Sequence, residues 1–303
     1  MISVLSGGVG AARLLAALRR YDEKLELEAI VNVGDDLTLH GLTICPDLDT
    51  ITYTLAGLHN VDAGWGLAGE SWRVMDELAA LGGAAWFRLG DRDLATHLYR
   101  SQRLAEGATK TDVARELAAH FALGVRVLPA TNDVVATMLD TEVGPLSFQE
   151  YFVAHHHDVR VTRVRVEAHD ARATPEVLAS LARARRIIVA PSNPVLSIDP
   201  ILAVSPLREV LRERRDEVIA VSPLVGGRAL KGPADRLLRD LGHRPDSLGV
   251  AQLYRDVVGT LVIDEVDAAL ADDVRELGLR CVVTTTVMAD PHDAQRLCEA
   301  LLA

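Results

Sequence analysis

Gly7, Gly8 and Gly10 crowd into four residues between an apolar run, Ile2-Ser3-Val4-Leu5-Ser6, and a stretch that opens Ala11-Ala12-Arg13-Leu14-Leu15. The order this predicts is strand, tight loop, helix. Without side chains the loop lets an anion approach the backbone. The first helical N–H groups and the helix dipole then favour negative charge by roughly 0.3–1 kcal/mol per exposed charge. Phosphate binding is the chemistry on offer, with Gly7, Gly8, Gly10 and the nearby Arg13 as candidates. Two familiar loops do not fit. A P-loop ends in Gly-Lys-Ser/Thr where this chain has Ala11-Ala12-Arg13, and a dinucleotide fingerprint begun at Gly8 puts its third small position on Arg13. A glycine turn that holds no ligand is the competing expectation.

Acidic side chains come next. Leu27 to Val33 reads as a buried strand that carries Asn32 and runs straight into Gly34-Asp35-Asp36. In a parallel sheet the strand ends gather on one edge, which brings Asn32, Asp35 and Asp36 beside the glycines. Paired carboxylates near a phosphate suit a hard cation such as Mg2+, so Asp35 and Asp36 are the metal candidates, with turn capping as the plainer alternative. Pro46 and Asp47 favour a helix start, after which Leu48, Ile51 and Leu55 share one face while Asp49 and Thr52 lie off it. Asp49 is either functional or a partner of the helix dipole. Arg88 interrupts an apolar stretch from Ala85 to Leu89 that reads as a strand, so it reaches the binding edge or snorkels to water; a helix bearing His97 and Arg100 follows. The run His155-His156-His157 cannot converge on one metal, because helical ligands need i,i+4 spacing and strand ligands i,i+2; these side chains are expected in solvent.

The elements that must hold these residues alternate. Residues 187–190, 218–221, 261–264 and 281–284 read as buried strands separated by helices, which means a mostly parallel sheet covered on both faces. The first of them ends in Pro191-Ser192-Asn193-Pro194, a rigid, donor-rich loop suited to fixing a ligand, with Asp199-Pro200 expected to start the next helix. The second ends in Ser222-Pro223. Between Val134 and Glu167 the texture changes to short strands, so residues 135–167 read as a small inserted subdomain, and 1–134 with 168–303 as the main domain. The 303 residues, 49% hydrophobic, are ample for a packed core, and a formal charge of −11 argues against nucleic acid or an acidic membrane as partner. Cys45, Cys281 and Cys298 have neither metal-ligand nor redox spacing, which predicts a reduced, cytoplasmic setting; no apolar run reaches membrane-spanning length.

Taken together, several blocks resemble one family: Gly7-Gly8-Val9-Gly10, Asn32-Val33-Gly34-Asp35-Asp36, Ile44 to Thr50, Phe87 to Asp93, Phe148-Gln149-Glu150, Pro191-Ser192-Asn193-Pro194 with Ser197-Ile198, and Ser222-Pro223 with Gly232-Pro233. In this order and spacing they look like the 2-phospho-L-lactate transferases and the actinobacterial phosphoenolpyruvate transferases of coenzyme F420 biosynthesis. The resemblance implies a Rossmann-like three-layer α/β sandwich with a smaller inserted subdomain, a homodimer and a need for Mg2+. It also implies a reaction, in which the ribityl hydroxyl of the deazaflavin Fo attacks the phosphorus of a GDP-linked 2-phospholactate or phosphoenolpyruvate donor and GMP leaves. Carried over by position, Asp49 and Arg88 match the Fo contacts, with Asp49 the candidate catalytic residue or a second metal ligand. The glycine loop, Asn32, Ser192, Asn193, Pro194 and Ser222 match the nucleotide side. Arg13 departs from the family, whose loop often continues toward a lysine, yet it keeps the charge and adds a fork geometry. Two other readings stay open: a non-catalytic nucleotide-sugar binder similar to the gluconeogenesis-factor proteins, and a nicotinamide oxidoreductase, which Arg13 disfavours.

Overall fold

Most of the apolar runs become strands of one sheet in the computed structural model, which describes residues 1–61 and 65–303. The chain opens with β1 (Ile2–Ser6), α1 (Gly8–Tyr21) and β2 (Leu27–Val31), then a hairpin of β3 (Leu37–Leu39) and β4 (Leu42–Ile44). Four helices follow, α2 (Pro46–Leu55), α3 (Arg73–Ala80), α4 (Asp91–Ala105) and α5 (Lys110–His120), before β5 (Arg126–Pro129). Strands β6 (Ala136–Thr141), β7 (Gly144–Ser147) and β8 (Val161–Glu167) form a separate antiparallel sheet in the order β7-β6-β8. The second half runs α6 (Pro175–Arg183), β9 (Arg186–Val189), α7 (Asp199–Leu202), α8 (Leu207–Glu213), β10 (Val218–Val221) and a hairpin of β11 (Leu224–Val225) and β12 (Arg228–Ala229). It closes with α9 (Ala234–Asp240), α10 (Ser247–Tyr254), β13 (Thr260–Ile263), α11 (Ala271–Glu276), β14 (Arg280–Val283) and α12 (Pro291–Leu302).

The main sheet has seven strands, all parallel, in the order β14-β13-β10-β9-β1-β2-β5. From β1 the chain first builds outward through β2 and β5, then returns to the other side of β1 with β9 and builds outward again. The switch point lies between β1 and β9, and in open sheets of this kind ligands bind in the crevice outside the strand ends at that point. The two loops that leave it are Gly7–Gly8 and Pro191–Pro194. Helices cover both faces, so the strands are buried apolar runs without alternation: every residue of β1, β2, β10 and β13 is buried.

Two smaller cores attach the rest. Leu139, Tyr151 and Val161 of the inserted segment pack with Leu196 and Leu237 of the main body. Ile44, Met75, Phe87 and Leu89 form another cluster under the first hairpin. This second cluster corrects one expectation, for residues 85–89 are irregular chain and not a strand. Phe87 and Leu89 turn inward and Arg88 outward, the alternation of a strand, but among the described residues no neighbouring strand pairs with them. Asp199 does open α7, as its first residue and not as its cap, the cap position falling on Ile198. A wide π-type turn, Pro194–Ile198, precedes it, and Asn193 caps that turn by accepting from the N–H groups of Val195 and Leu196 at 3.0 and 3.1 Å. The three histidines 155–157 lie at the surface, two of them with positive φ. No described helix is long and apolar enough to cross a membrane.

Candidate active site

At the switch point β1 ends at Ser6, Gly7 is extended and Gly8 has φ of +67°, the left-handed region where glycine is favoured. Ser192 ties the two loops together, its hydroxyl donating to the Gly7 carbonyl at 2.7 Å and accepting from the Gly7 N–H at 3.3 Å. Gly10 is needed for packing, since a Cβ there would sit 2.1 Å from the Pro191 carbonyl oxygen. Gly7 is equally hemmed in: its Cβ would meet Ser197 Cβ at 2.6 Å and Asp47 Oδ2 at 2.9 Å.

That last neighbour is the unexpected one. Asp47, in the first turn of α2, lies against the glycine turn and takes a hydrogen bond from the Gly8 N–H, so a carboxylate faces the start of α1. Asn32, just past the end of β2, donates its amide to Asp47 Oδ2 at 3.0 Å and to Asp35 Oδ1 at 3.2 Å, while its own oxygen accepts the Gly34 N–H at 2.8 Å. One amide thus orients two buried carboxylates. The inserted segment closes over them: the Gln149 amide donates to the Asp35 carbonyl at 3.3 Å, and the Thr137 N–H to the Gly34 carbonyl at 2.7 Å. Burial pushes Asp47 up to about 7, against the pull of its Asn32 and Gly8 hydrogen bonds. Asp35 is also pushed well above the carboxylate range, by burial first and then by repulsion from Asp47 and Asp36. Two buried acids with too little positive charge around them form a site that a cation would stabilise.

A second buried network lies on the other side of α2. Arg100 of α4 clamps Asp49 with both terminal nitrogens, one of them 3.2 Å from Oδ2, and its Nη1 is 3.1 Å from His97 Nδ1. His97 Nε2 is 3.2 Å from Asp93, which also accepts the Tyr53 hydroxyl at 2.6 Å. Lys110 closes this network by pairing with Asp36 at 3.1 Å.

The structure therefore brings together Gly7, Gly8, Asn32, Asp35, Ser192 and Asn193; Asp36 stays near enough to repel Asp35, but its own partner is Lys110. Adjacent residues in a turn face different ways, and the partner of Asp35 is Asp47. Asp49 faces Arg100 and not the glycines. Arg88 is exposed, paired with Asp76 at 2.7 Å and stacked over Trp72. Ser222 closes its own turn, accepting the Leu224 N–H at 3.2 Å and meeting the Ser247 hydroxyl at 3.0 Å. Pro194 is buried as the first residue of the π-type turn. Exposed Arg13 donates to the Met288 carbonyl. Together with Lys231 it lowers His59 below its ordinary range, in addition to the larger effect of burial. Asp47, Arg100 and Lys110 were not singled out from the sequence. For Asp47 the signal was its place in the Asp-Leu-Asp of a first helical turn; for Arg100, a helix face on which Asp93, Thr96 and His97 recur at helical spacing and all are buried; for Lys110, a charged head at the start of a helix whose Val113, Ala114 and Leu117 are buried.

Among the described residues no three carboxylate, imidazole or thiol groups converge as a ready-made metal cage. Two carboxylates are nonetheless what Mg2+ commonly takes from a protein, phosphate and water oxygens supplying the rest, so Asp35 and Asp47 fit that ion.

A doubly wound parallel sheet with a glycine turn and an acid pair at its switch point defines an α/β protein with a crevice of the nucleotide-binding kind. Comparison with known proteins narrows this. The chain belongs to the family described as 2-phospho-L-lactate transferase CofD, whose model matches residues 2–297. It is 40% identical to a phosphoenolpyruvate transferase of Streptomyces griseus over 95% of this chain and 93% of that protein. It is also 40% identical to one of Streptomyces coelicolor, covering 99% and 97%. A 2-phospho-L-lactate transferase of Methanospirillum hungatei is 37% identical, covering 100% and 99%. The chain is accordingly an enzyme, a transferase. Among solved structures, a UPF0052-family protein from Bacillus halodurans shares the fold with a TM-score of 0.65 at 15% identity, over 100% of this chain and 99% of that one.

Proposed function

We propose that the protein makes a coenzyme F420 precursor by moving a phosphoenolpyruvate or 2-phospholactate moiety from a GDP-linked donor to the deazaflavin Fo. The ribityl oxygen forms a new bond to the phosphorus that bears the organic acid, the bond from that phosphorus to GMP breaks, and the hydroxyl proton is lost. What carries this reading is the family match across residues 2–297, which spans every element of the cleft.

The residues suit the task. Phosphoryl displacement needs an in-line nucleophile and neutralised oxygens more than covalent help. The Gly7 and Gly8 N–H groups, held by Ser192 and Asp47, become donors to a phosphate where those partners yield, Arg13 on the helix that follows offers charge, and Asn32 holds Asp35 and Asp47 in register. Asp35 and Asp47 would hold Mg2+, which when bound supplies the charge that lets phosphate oxygens sit beside two carboxylates. Asp49 and Arg88 enter as contacts for Fo. The void beside Asp49 is about 10 Å3, the volume of a single water and far below a deazaflavin, so contact with Fo requires Arg100 to release one carboxylate oxygen. The assembly expected is a homodimer.

Purified protein incubated with Fo, Mg2+ and each GDP-linked donor in turn tests this by mass spectrometry. The two products differ by two hydrogens, so one measurement also decides between lactate and enolpyruvate. Absence of any phosphodiester of Fo with both donors overturns the reading.

A further inference from the structure

Apart from the crevice, a second cavity of about 360 Å3 opens where β8 meets the main body. Its size falls at the small end of pockets that hold small molecules. One wall is apolar, built from Val164, Leu202 and Leu253. The rest of the lining mixes Pro194, Val195 and Leu241 with the polar Arg163, Asp199, Arg208, His243 and Tyr254.

Three observations bear on what it would hold. Arg163 and His243 line the cavity, are exposed, and make no ion pair among the described residues. Arg208 is held in place by Asp199 at 2.6 Å and Asp256 at 3.2 Å, an arrangement that fixes a guanidinium at the cavity edge. Tyr254 also lines it, is only 2% exposed, and its hydroxyl has no hydrogen-bond partner. A desolvated hydroxyl without an acceptor is costly, and phenylalanine of the same shape would avoid that cost. The cavity therefore has a buried hydroxyl without an acceptor, one guanidinium, that of Arg163, without an anion, and an apolar wall.

We propose that this cavity is a second ligand site, for a small amphipathic organic anion. The anionic group pairs with Arg163, an acceptor oxygen takes the Tyr254 hydroxyl, and the apolar part lies on the Val164–Leu202 wall. Val195 and Asp199, which line it, continue the chain from the Ser192–Asn193 loop, so the site adjoins the catalytic crevice without sharing its polar residues.

Anilinonaphthalene sulfonate, an amphipathic anion that fluoresces on leaving water, is the probe. Titration of the full chain is expected to saturate at one site that GDP does not displace. Tyr254→Phe should weaken the dye about tenfold, the loss expected of a hydrogen bond to a charged group. The same substitution should raise the melting temperature of the free protein, a change that a merely structural hydroxyl would not give. Arg163→Ala should weaken the dye about fivefold, as expected for loss of one partly exposed charge contact, with the melting temperature unchanged. Equal affinity in the wild type and both variants, or displacement of the dye by GDP, overturns the proposal.

Discussion

Asp47 and Asp49 stand two residues apart in the first turn of α2, and their carboxylates serve opposite sides of that helix. Asp47 accepts from Asn32 at 3.0 Å beside the glycine turn, and Asp49 from Arg100 at 3.2 Å in the network reaching to α4. Two residues advance an α-helix by about 200°, so the separation follows from helical geometry alone. One helix start thus feeds both the phosphate side of the crevice and the polar network behind it.

Asp47→Asn keeps the shape and removes the charge. Turnover should fall by about 10²–10³, the usual cost of losing one electrostatic contact to the transferring group. The free protein should become more stable by on the order of 1 kcal/mol, because one of two mutually repelling buried acids is neutralised. Steady-state kinetics and calorimetry on the same preparation check both halves. Wild-type turnover would remove Asp47 from the site.

Gly10→Ala should damage the fold before it damages chemistry. The added methyl would lie 2.1 Å from the Pro191 carbonyl oxygen, a backbone atom that cannot swing aside. Overpacking of this kind costs about 1–3 kcal/mol, and a melting temperature lower by several degrees is expected. Gly242→Ala is the control for strain without a clash, since its φ is +77° and nothing lies within 4 Å of the added carbon. If both lose the same amount, the close approach of the two loops is not what fixes glycine at position 10.

Arg100→Gln leaves the Asp49 carboxylate buried without its guanidinium partner, and breaking such a pair costs about 3–5 kcal/mol. Adding Asp49→Asn should restore part of that loss, since two neutral amides can hydrogen bond where a lone charge cannot. A double-mutant cycle read by denaturant unfolding measures the coupling. Additive losses would mean that the two groups do not depend on each other.

Tyr53→Phe addresses the far end of the same network and carries a pH signature. Burial pushes Asp93 upward, but hydrogen bonds from His97 and Tyr53 outweigh it and leave the carboxyl below its ordinary range. A depressed folded-state value means stabilisation that is present above the unfolded value of about 3.9 and lost as pH falls through the folded one. The variant should therefore lose about 1.5–3 kcal/mol near neutral pH and progressively less in acid. Thermal melts across pH 2 to 7 decide it, and a loss independent of pH would leave the hydroxyl without this role.

Much of the main sheet was legible because parallel strands buried on both faces appear as unbroken apolar runs, and the first glycine turn because few other residues tolerate φ of +67°. The segment 85–89 misled because Phe87-Arg88-Leu89 alternates as a strand does, while the missing partner strand is a tertiary fact. The acids show the reach of the same limit: Asp35 and Asp36 are neighbours in sequence, while the carboxylate that shares an amide with Asp35 lies twelve residues further on, in α2. Arg100 and Lys110 meet Asp49 and Asp36 across 51 and 74 residues, separations at which spacing carries no signal.

The same acid pair sets the expectation for nucleotide binding. GDP brings negative phosphates toward Asp35 and Asp47, so GDP alone meets repulsion, whereas GDP with Mg2+ meets two carboxylates suited to the ion. At a hundredfold excess over Kd the magnesium complex should stabilise the fold by about 2.7 kcal/mol, a rise of roughly 5 °C at the per-kcal shifts usual for large domains. GDP in EDTA should give a small fraction of that. In Asp47→Asn the difference should narrow, because less charge remains to be neutralised. A thermal-shift series with GDP, Mg2+ and their combination on both proteins reads this directly. An equal rise with GDP in EDTA on the wild type would show that the phosphates bind without the cation, leaving Asp35 and Asp47 another purpose.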